Sequence, residues 1–577
     1  MFEDVCYAYF GSIGKGLLRI FKSVERDMEA ANIRLHPEVY LSIVGFLTFL
    51  TSLFSFSFFL LWFLEILPFK IPIFIVFPVL VLPPPITLTL GVLIPRLIAS
   101  NKISGLKNEI PYASMYLSVM TSGGLSPYAS LLRLRNTDLL PRLKEEINRI
   151  IRVTLSTGID PVSALAKAAK DLKLKEYSQL LLGYASTTKT GGDVLHYLYS
   201  QTESMFRRMA LRIKVMGDRM SLLMEGYTII AILGALGIYV MFIISLSFPK
   251  FQALPPEIFF FFSFILLPSI SVLFLYLTET MQINYPISQW ETYLALLGSI
   301  PLGVFMMLQM VIPYFVDVFP HIPVLSRIPT SLREMLALRE GCEPALGLAI
   351  SLIAVSLPVM VSDRVFSEED KGILDGMTRF LRDLVENRKT GLSPEKSIQL
   401  LAERDYGKFS KYLRLMSAEI SWGIPLRKIF RDFRNRVKNW ICLINLYLLI
   451  DTIEAGGGTE RSLETLAEFA EETKNLEYER RARLTPLFIV PYMGATVLTL
   501  TTTMLLQLFT SMSSASGVQI AVKNLTETLI TPLILHSFTL GIVSGKIVSG
   551  RISAGFKHAF LLIMLSIVGI YVATHIL

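Results

Sequence analysis

Residues 121–127 read TSGGLSP and residues 389–394 read KTGLSP, and the likeness of these two stretches decides the architecture. Each stands just before a helical pattern. In both, a serine (Ser126 or Ser393) can cap a helix whose first residue is a proline (Pro127 or Pro394), which has no amide hydrogen to leave unpaired. Gly124 and Gly391 supply the turn before each cap.

The match extends outward from these turns. Some 35 residues further on, Gly158, Asp160 and Pro161 open one helical pattern and Gly423 and Pro425 open another. Further still, Gly191 and Gly192 precede Asp193 and the segment VLHYLYSQTESM, while Gly456, Gly457 and Gly458 precede Thr459 and ERSLETLAEFAEE. Each glycine group ends one helix, and the polar residue after it starts the next. Three matched signals in one order imply two copies of an all-helical bundle, each about 120 residues long. Both blocks are rich in Leu, Ala, Glu, Lys and Arg at helical periods and lack sustained alternation, so strands are not expected.

Around the two blocks the chain is apolar. Of 577 residues 52% are hydrophobic, and the mean hydropathy is +0.53. The apolar residues collect into runs of roughly 20, the length needed to span a hydrocarbon core. The runs fall at 40–67, a Pro-rich stretch ending near Pro95, 222–247, 257–279, 292–316, 343–362, 485–510, 527–548 and 557–577. The expected fold is therefore all-α, a polytopic membrane protein with about nine transmembrane helices and two homologous cytoplasmic helical bundles. Its expected divisions are an N-terminal helical segment at 1–39, crossings at 40–95, a first bundle at 96–221, crossings at 222–362, a second bundle at 363–484 and crossings at 485–577. Pro83, Pro84 and Pro85 are expected to kink or break the second crossing.

Charge sets the expected orientation. The block from Arg96 to Arg219 holds about 19 basic against about 10 acidic residues, which places it inside. The N-terminus is then cytoplasmic, the C-terminus outside, and the connector 511–526, with the sequon Asn524-Leu525-Thr526, exposed outside. In residues 1–39, Leu17, Leu18, Phe21, Val24 and Met28 recur at helical spacing, as in a helix docked on this same protein or lying on the membrane.

Catalytic patterns are missing. Gly14-Lys15-Gly16, Gly407-Lys408 and Gly545-Lys546 lack the Ser or Thr of a phosphate loop. Cys6, Cys342 and Cys442 have no zinc spacing and no expected disulfide, and the six histidines never fall at ligand spacing, so no metal or cofactor is expected. Within the crossings, Glu225 is expected to snorkel or pair with a basic neighbour, and His536 to bond a neighbouring helix.

With these residues in view, the layout resembles the type II secretion F-domain superfamily and, within it, the archaeal assembly platform proteins of archaella (J-type) and type IV pili. That resemblance implies a non-enzymatic platform in the cytoplasmic membrane. It would bind a hexameric secretion-type ATPase and pilin or archaellin subunits, with a homodimer compatible and no nucleic acid among its partners. The basic cluster Arg207, Arg208, Arg212, Lys214 and Arg219, with Arg480, Arg481 and Arg483, would then meet the ATPase. Gly456-Gly457-Gly458 departs from the Gly-Gly-Asp of the first copy. Two rivals fit less well. A secondary transporter would carry its repeat in the membrane, and a prepilin peptidase needs a Gly-x-Gly-Asp motif that neither Asp218 nor Asp363 completes.

Overall fold

The computed structural model describes residues 2–31, 33, 35–64, 83–172, 174–247, 255–283, 285, 290–315, 322–370, 372–456, 458–516 and 522–575. Among them there is no strand, and nine helices are long and apolar enough to cross a membrane.

In chain order, α1 (Phe2–Ile20), α2 (Ser23–Ala31) and α3 (Pro37–Phe63) precede a six-helix series made by the end of α4 (Pro83–Ser122), α5 (Pro127–Leu134), α6 (Pro141–Thr157), α7 (Pro161–Asp171), α8 (Lys175–Thr190) and the start of α9 (Val194–Ser247). Next come α10 (Pro256–Phe261) and α11 (Leu267–Met281), joined by a π turn at Phe262–Leu266, then α12 (Trp290–Met310), α13 (Pro323–Met335) and α14 (Glu343–Asp370). A second six-helix series follows: α15 (Ile373–Lys389), α16 (Pro394–Leu401), α17 (Lys408–Ser421), α18 (Leu426–Arg436), α19 (Trp440–Gly456) and α20 (Glu460–Leu484). The chain closes with α21 (Ile489–Ser516), α22 (Val522–Ser549) and α23 (Ile552–His575).

Most of the turn residues fall where the sequence puts them. Ser126 accepts from the Ala129 amide and Ser393 from the Lys396 amide, each at 3.3 Å, with Pro127 and Pro394 as first helical residues. Gly124 and Gly391, at φ +92° and +87°, hold the left-handed conformation that a Cβ would strain. Gly158, Gly191 and Gly423 are also at positive φ, whereas Gly192 and Gly456 are not. Asp160 caps α7 through the Ser163 amide at 3.1 Å, with Pro161 next, and Asp193 accepts from His196 N at 3.0 Å. Pro425, expected inside α18, is instead its N-cap, standing where the first series has Asp160. Gly457 lies outside the described residues. Pro83, Pro84 and Pro85 fall in the first described turn of α4, where donor amides are not needed, and residues 65–82 of that run, which bear on whether they kink or break it, lie outside the described residues. The sequon, expected in a connector, falls in the first turns of α22 with Thr526 buried.

The chain divides into two compact units. One comprises residues 1–113 and 140–186. In it α1 packs on α3, with the Phe10 ring 5.5 Å from Phe46, and Leu17, Leu18 and Phe21 gather on buried Val24, Met28 and Leu41. The Tyr40 hydroxyl donates to the Gly91 carbonyl at 2.7 Å, tying α3 to α4. Buried Glu109 of α4 accepts from the amides of Arg142 and Leu143, at 3.2 and 2.7 Å, and so supplies the N-terminal cap that Leu140 cannot give α6.

The other unit comprises residues 114–139 and 187–577. Its most enclosed membrane helix is α22, with 78% of its apolar window buried. Gly541 and Gly545 of α22 lie on the backbone of Ala559 and Gly555 of α23, where any added Cβ would overlap. Small residues at this spacing let two membrane helices approach closely. The expected bond of His536 is not made: its Nε2 is buried without a partner among the described residues, with the Tyr239 ring 6.4 Å away. Glu225 accepts from Ser221 at 3.0 Å and faces outward.

Candidate functional site

The last helices of the two series run side by side. Near their starts, Phe469 of α20 packs on Tyr199 and Phe206 of α9, at 5.4 and 5.8 Å between ring centroids. Further along, Gly217 of α9 leaves room for the Arg483 stem of α20, and within the apolar length Gly494 of α21 seats against Thr228 and Ile232 of α9. The helix α9 has 54 residues, so it is roughly 80 Å long. It passes unbroken from the helical series into the apolar span. On the other side only a short 3₁₀ turn, Thr485–Phe488, separates α20 from α21.

A buried ion-pair hub joins the two series. Asp451 of α19, 2% exposed, accepts from Arg133 of α5 through Nη2 at 2.7 Å and from Arg427 of α18 at 3.3 Å. The Tyr116 hydroxyl of α4 also donates to it. Arg427 reaches Glu454 at 2.6 Å, and the Tyr116 ring stacks on Tyr447 of α19 at 6.2 Å. Bonding to Asp451 raises the Arg133 pKa above its ordinary value, so the guanidinium stays charged. A carboxylate this buried is tolerated because several donors converge on it. Counted from the matching caps, the second series has exposed Leu400 where the first has Arg133, and the first has buried Ala185 where the second has Asp451. The hub therefore exists once and reads the two copies as different. Trp440 adds a bond from its indole to the Leu139 carbonyl at 3.0 Å.

A second polar layer lies where the helical series meets the membrane helices. Buried Glu477 accepts from Arg480, through Nε and Nη2, and from Arg481, all at 2.9 Å. The Arg480 guanidinium lies 5.8 Å from the centre of the Tyr285 ring, which stacks on Trp440 at 4.9 Å. Beside it, buried Lys546 of α22 is bonded to Glu279 of α11 and donates to the Gly550 carbonyl at 2.7 Å. The Gln282 amide donates to the carbonyls of Lys546 and Ile547. Asp363 of α14 accepts from Ser553 at 2.7 Å and lies 3.7 Å from Arg551. Ends of α11, α14, α20, α22 and α23 are thus pinned by charge and hydrogen bonds.

These contacts change the reading of the basic cluster. Arg480 and Arg481 are held by Glu477, and Arg483 by Glu479 at 2.9 Å, so three of the expected docking cations are already engaged. Arg207 makes an exposed pair with Glu203 at 3.0 Å, and Arg208 reaches Ser204 of its own helix. Arg212 is half-buried. Lys214 and Arg219 are exposed, with no carboxylate partner among the described residues. The spacing signal was available, because Glu477, Glu479 and Glu203 stand three or four residues before their arginines. Asp451, which the sequence reading missed, was visible as a carboxylate closing the apolar run WICLINLYLLI.

No group of three or more metal-ligating side chains occurs among the described residues, and the three cysteines are buried and unbridged.

The family described as type II secretion system protein F matches residues 113–242 and again 380–507. The two matches are offset by the interval that separates Ser126 from Ser393. An uncharacterized protein of Methanocaldococcus jannaschii is 19% identical over 500 residues, spanning 83% of this chain and 82% of its own length. No solved structure matches.

Proposed function

We propose, from the premise that the chain carries two copies of the protein F domain of type II secretion systems, that it is the membrane platform of an archaeal type IV pilus-like machine, whether pilus or archaellum. In this role it couples a cytoplasmic hexameric secretion ATPase to the insertion of pilin subunits into a filament. The observation that carries the reading is the parallel course of α9 and α20–α21, which lead from the two F domains into the membrane bundle. A displacement imposed on the F domains passes along these rods with little loss, because α9 is continuous and only one short 3₁₀ turn interrupts α20–α21.

The F domains face the cytoplasm in this proposal, with the N-terminus inside and the C-terminus outside. Docking draws on Lys214, Arg219 and Arg207. The first two carry no intramolecular ion pair among the described residues, and an exposed i,i+4 pair such as Arg207–Glu203 is worth only about 0.3–0.5 kcal/mol. Charge of this kind orients an encounter more than it fixes its strength. The secondary-transporter alternative is less well supported, since the repeated unit is the F domain and the pinned charges sit at helix ends.

The test is capture of the secretion ATPase from the same cells by the detergent-solubilised full chain at low and high salt. Retention that falls with salt and is lost in the triple variant R207E/K214E/R219E supports the proposal. Absence of retention by the intact chain, with the ATPase active, counts against it.

A further inference from the structure

The helix α18, LRKIFRDFRNR, carries five basic residues against one acidic one, Asp432, and buries Ile429 and Phe433. Arg427 is used in the hub, at the N-terminal end of the helix. Lys428, Arg431 and Arg436 are exposed and have no carboxylate partner among the described residues, while Arg434 makes only an exposed contact with Asp138 at 3.4 Å.

The C-terminal end of α18 lies at the border of the membrane helices. Lys438, two residues beyond it, pairs with Glu291 in the first turn of the crossing helix α12 at 3.6 Å. Trp440 stacks on Tyr285 of the short connector between the crossings α11 and α12. Trp290, the first residue of α12, is 70% exposed, as an aromatic residue anchored among headgroups would be. Exposed Trp290 therefore marks the level of the bilayer surface at the start of α12, and Lys438, paired there with Glu291, follows Arg436 by two residues.

We infer that the basic face of α18 is a binding site for anionic lipid headgroups, with Arg431, Arg434 and Arg436 contacting lipid phosphates. Guanidinium groups suit this task because their planar donors match phosphate oxygens in pairs. Desolvation is modest at the headgroup level, and each basic side chain near an anionic surface adds to the attraction. The inference rests on the position of α18 relative to the crossings and not on the identity of the machine.

The experiment is hydrogen exchange of the full chain in nanodiscs of phosphatidylcholine alone and of phosphatidylcholine mixed with phosphatidylglycerol. Amides of 426–438 should exchange about tenfold slower in the anionic discs, and the difference should vanish at roughly 0.5 M salt. The charge reversal R431E/R434E/R436E should abolish it. The milder R431Q/R436Q, which leaves the Arg434–Asp138 contact in place, should reduce it while protection of α19 and α20 is unchanged. Equal exchange in the two lipids would overturn the inference. So would protection that appears only when the purified ATPase is added, which would assign the face to a protein partner.

Discussion

Arg133 and Asp451 are 318 residues apart in the chain and 2.7 Å apart across the interface of the two helical series. The pair joins α5 to α19, and it is completed by Tyr116 and Arg427. Its asymmetry makes the two helical series complementary rather than interchangeable.

Removing Asp451 should be costly, because it leaves Arg133 without a counter-ion and the buried Tyr116 hydroxyl without an acceptor, while Arg427 keeps Glu454. We expect Asp451→Ala to destabilise the detergent-solubilised chain by about 1.5–3 kcal/mol. A double-mutant cycle with Arg133→Ala, read by denaturant titration, should show coupling of at least about 1 kcal/mol. Additive losses would mean that the pair is incidental.

Glu477 holds Arg480 and Arg481 at the base of α20. Glu477→Gln should cost about 3 kcal/mol and open the α20–α21 junction to limited proteolysis near Thr485. Adding Arg480→Met, which removes the stranded charge, should restore much of the protection. If the single variant resists protease as the parent does, the pinned junction is not a structural element.

The contact of α22 with α23 depends on absent side chains. Gly545→Leu should drive the helices apart, since a Cβ there meets the backbone of Gly555. The cost expected from overpacking is about 1–3 kcal/mol, and cross-linking of cysteines introduced along the two helices should fall. Gly298→Leu, where nothing lies within 4 Å, serves as the control and should leave cross-linking unchanged.

Glycines differ by backbone conformation as well as by space. Gly391→Ala, at φ +87° in an open turn, should destabilise by about 1–2 kcal/mol purely through strain. Gly16→Ala, in the exposed interior of α1 with open space around it, should stabilise by about 0.5–1 kcal/mol. Thermal unfolding of the two variants should shift in opposite directions.

How far the architecture could be read in advance depended on whether the signal was local. Caps at Ser126, Ser393, Asp160, Asp193 and Thr459 were readable, because an oxygen bonding an amide three residues on is a relation within one turn. Apolar length was readable for the same reason. The basic cluster was readable as charge density, and so were the glutamates three or four residues before Arg480, Arg481 and Arg483 that pair with them. His536 misled, because a polar residue in an apolar run says that a partner is desirable and not that one is present.

By itself, the sequence determined that this chain is helical, repeated and membrane-spanning, since hydrophobic runs, caps and glycine turns act over a few residues and mean the same wherever the chain goes. Tertiary structure alone decided that Asp451 meets Arg133 and that α9 and α20–α21 lie in parallel. Those outcomes depend on which faces of distant helices come together. A buried carboxylate is fixed by the donors that surround it in space, and its place in the chain names none of those that lie hundreds of residues away.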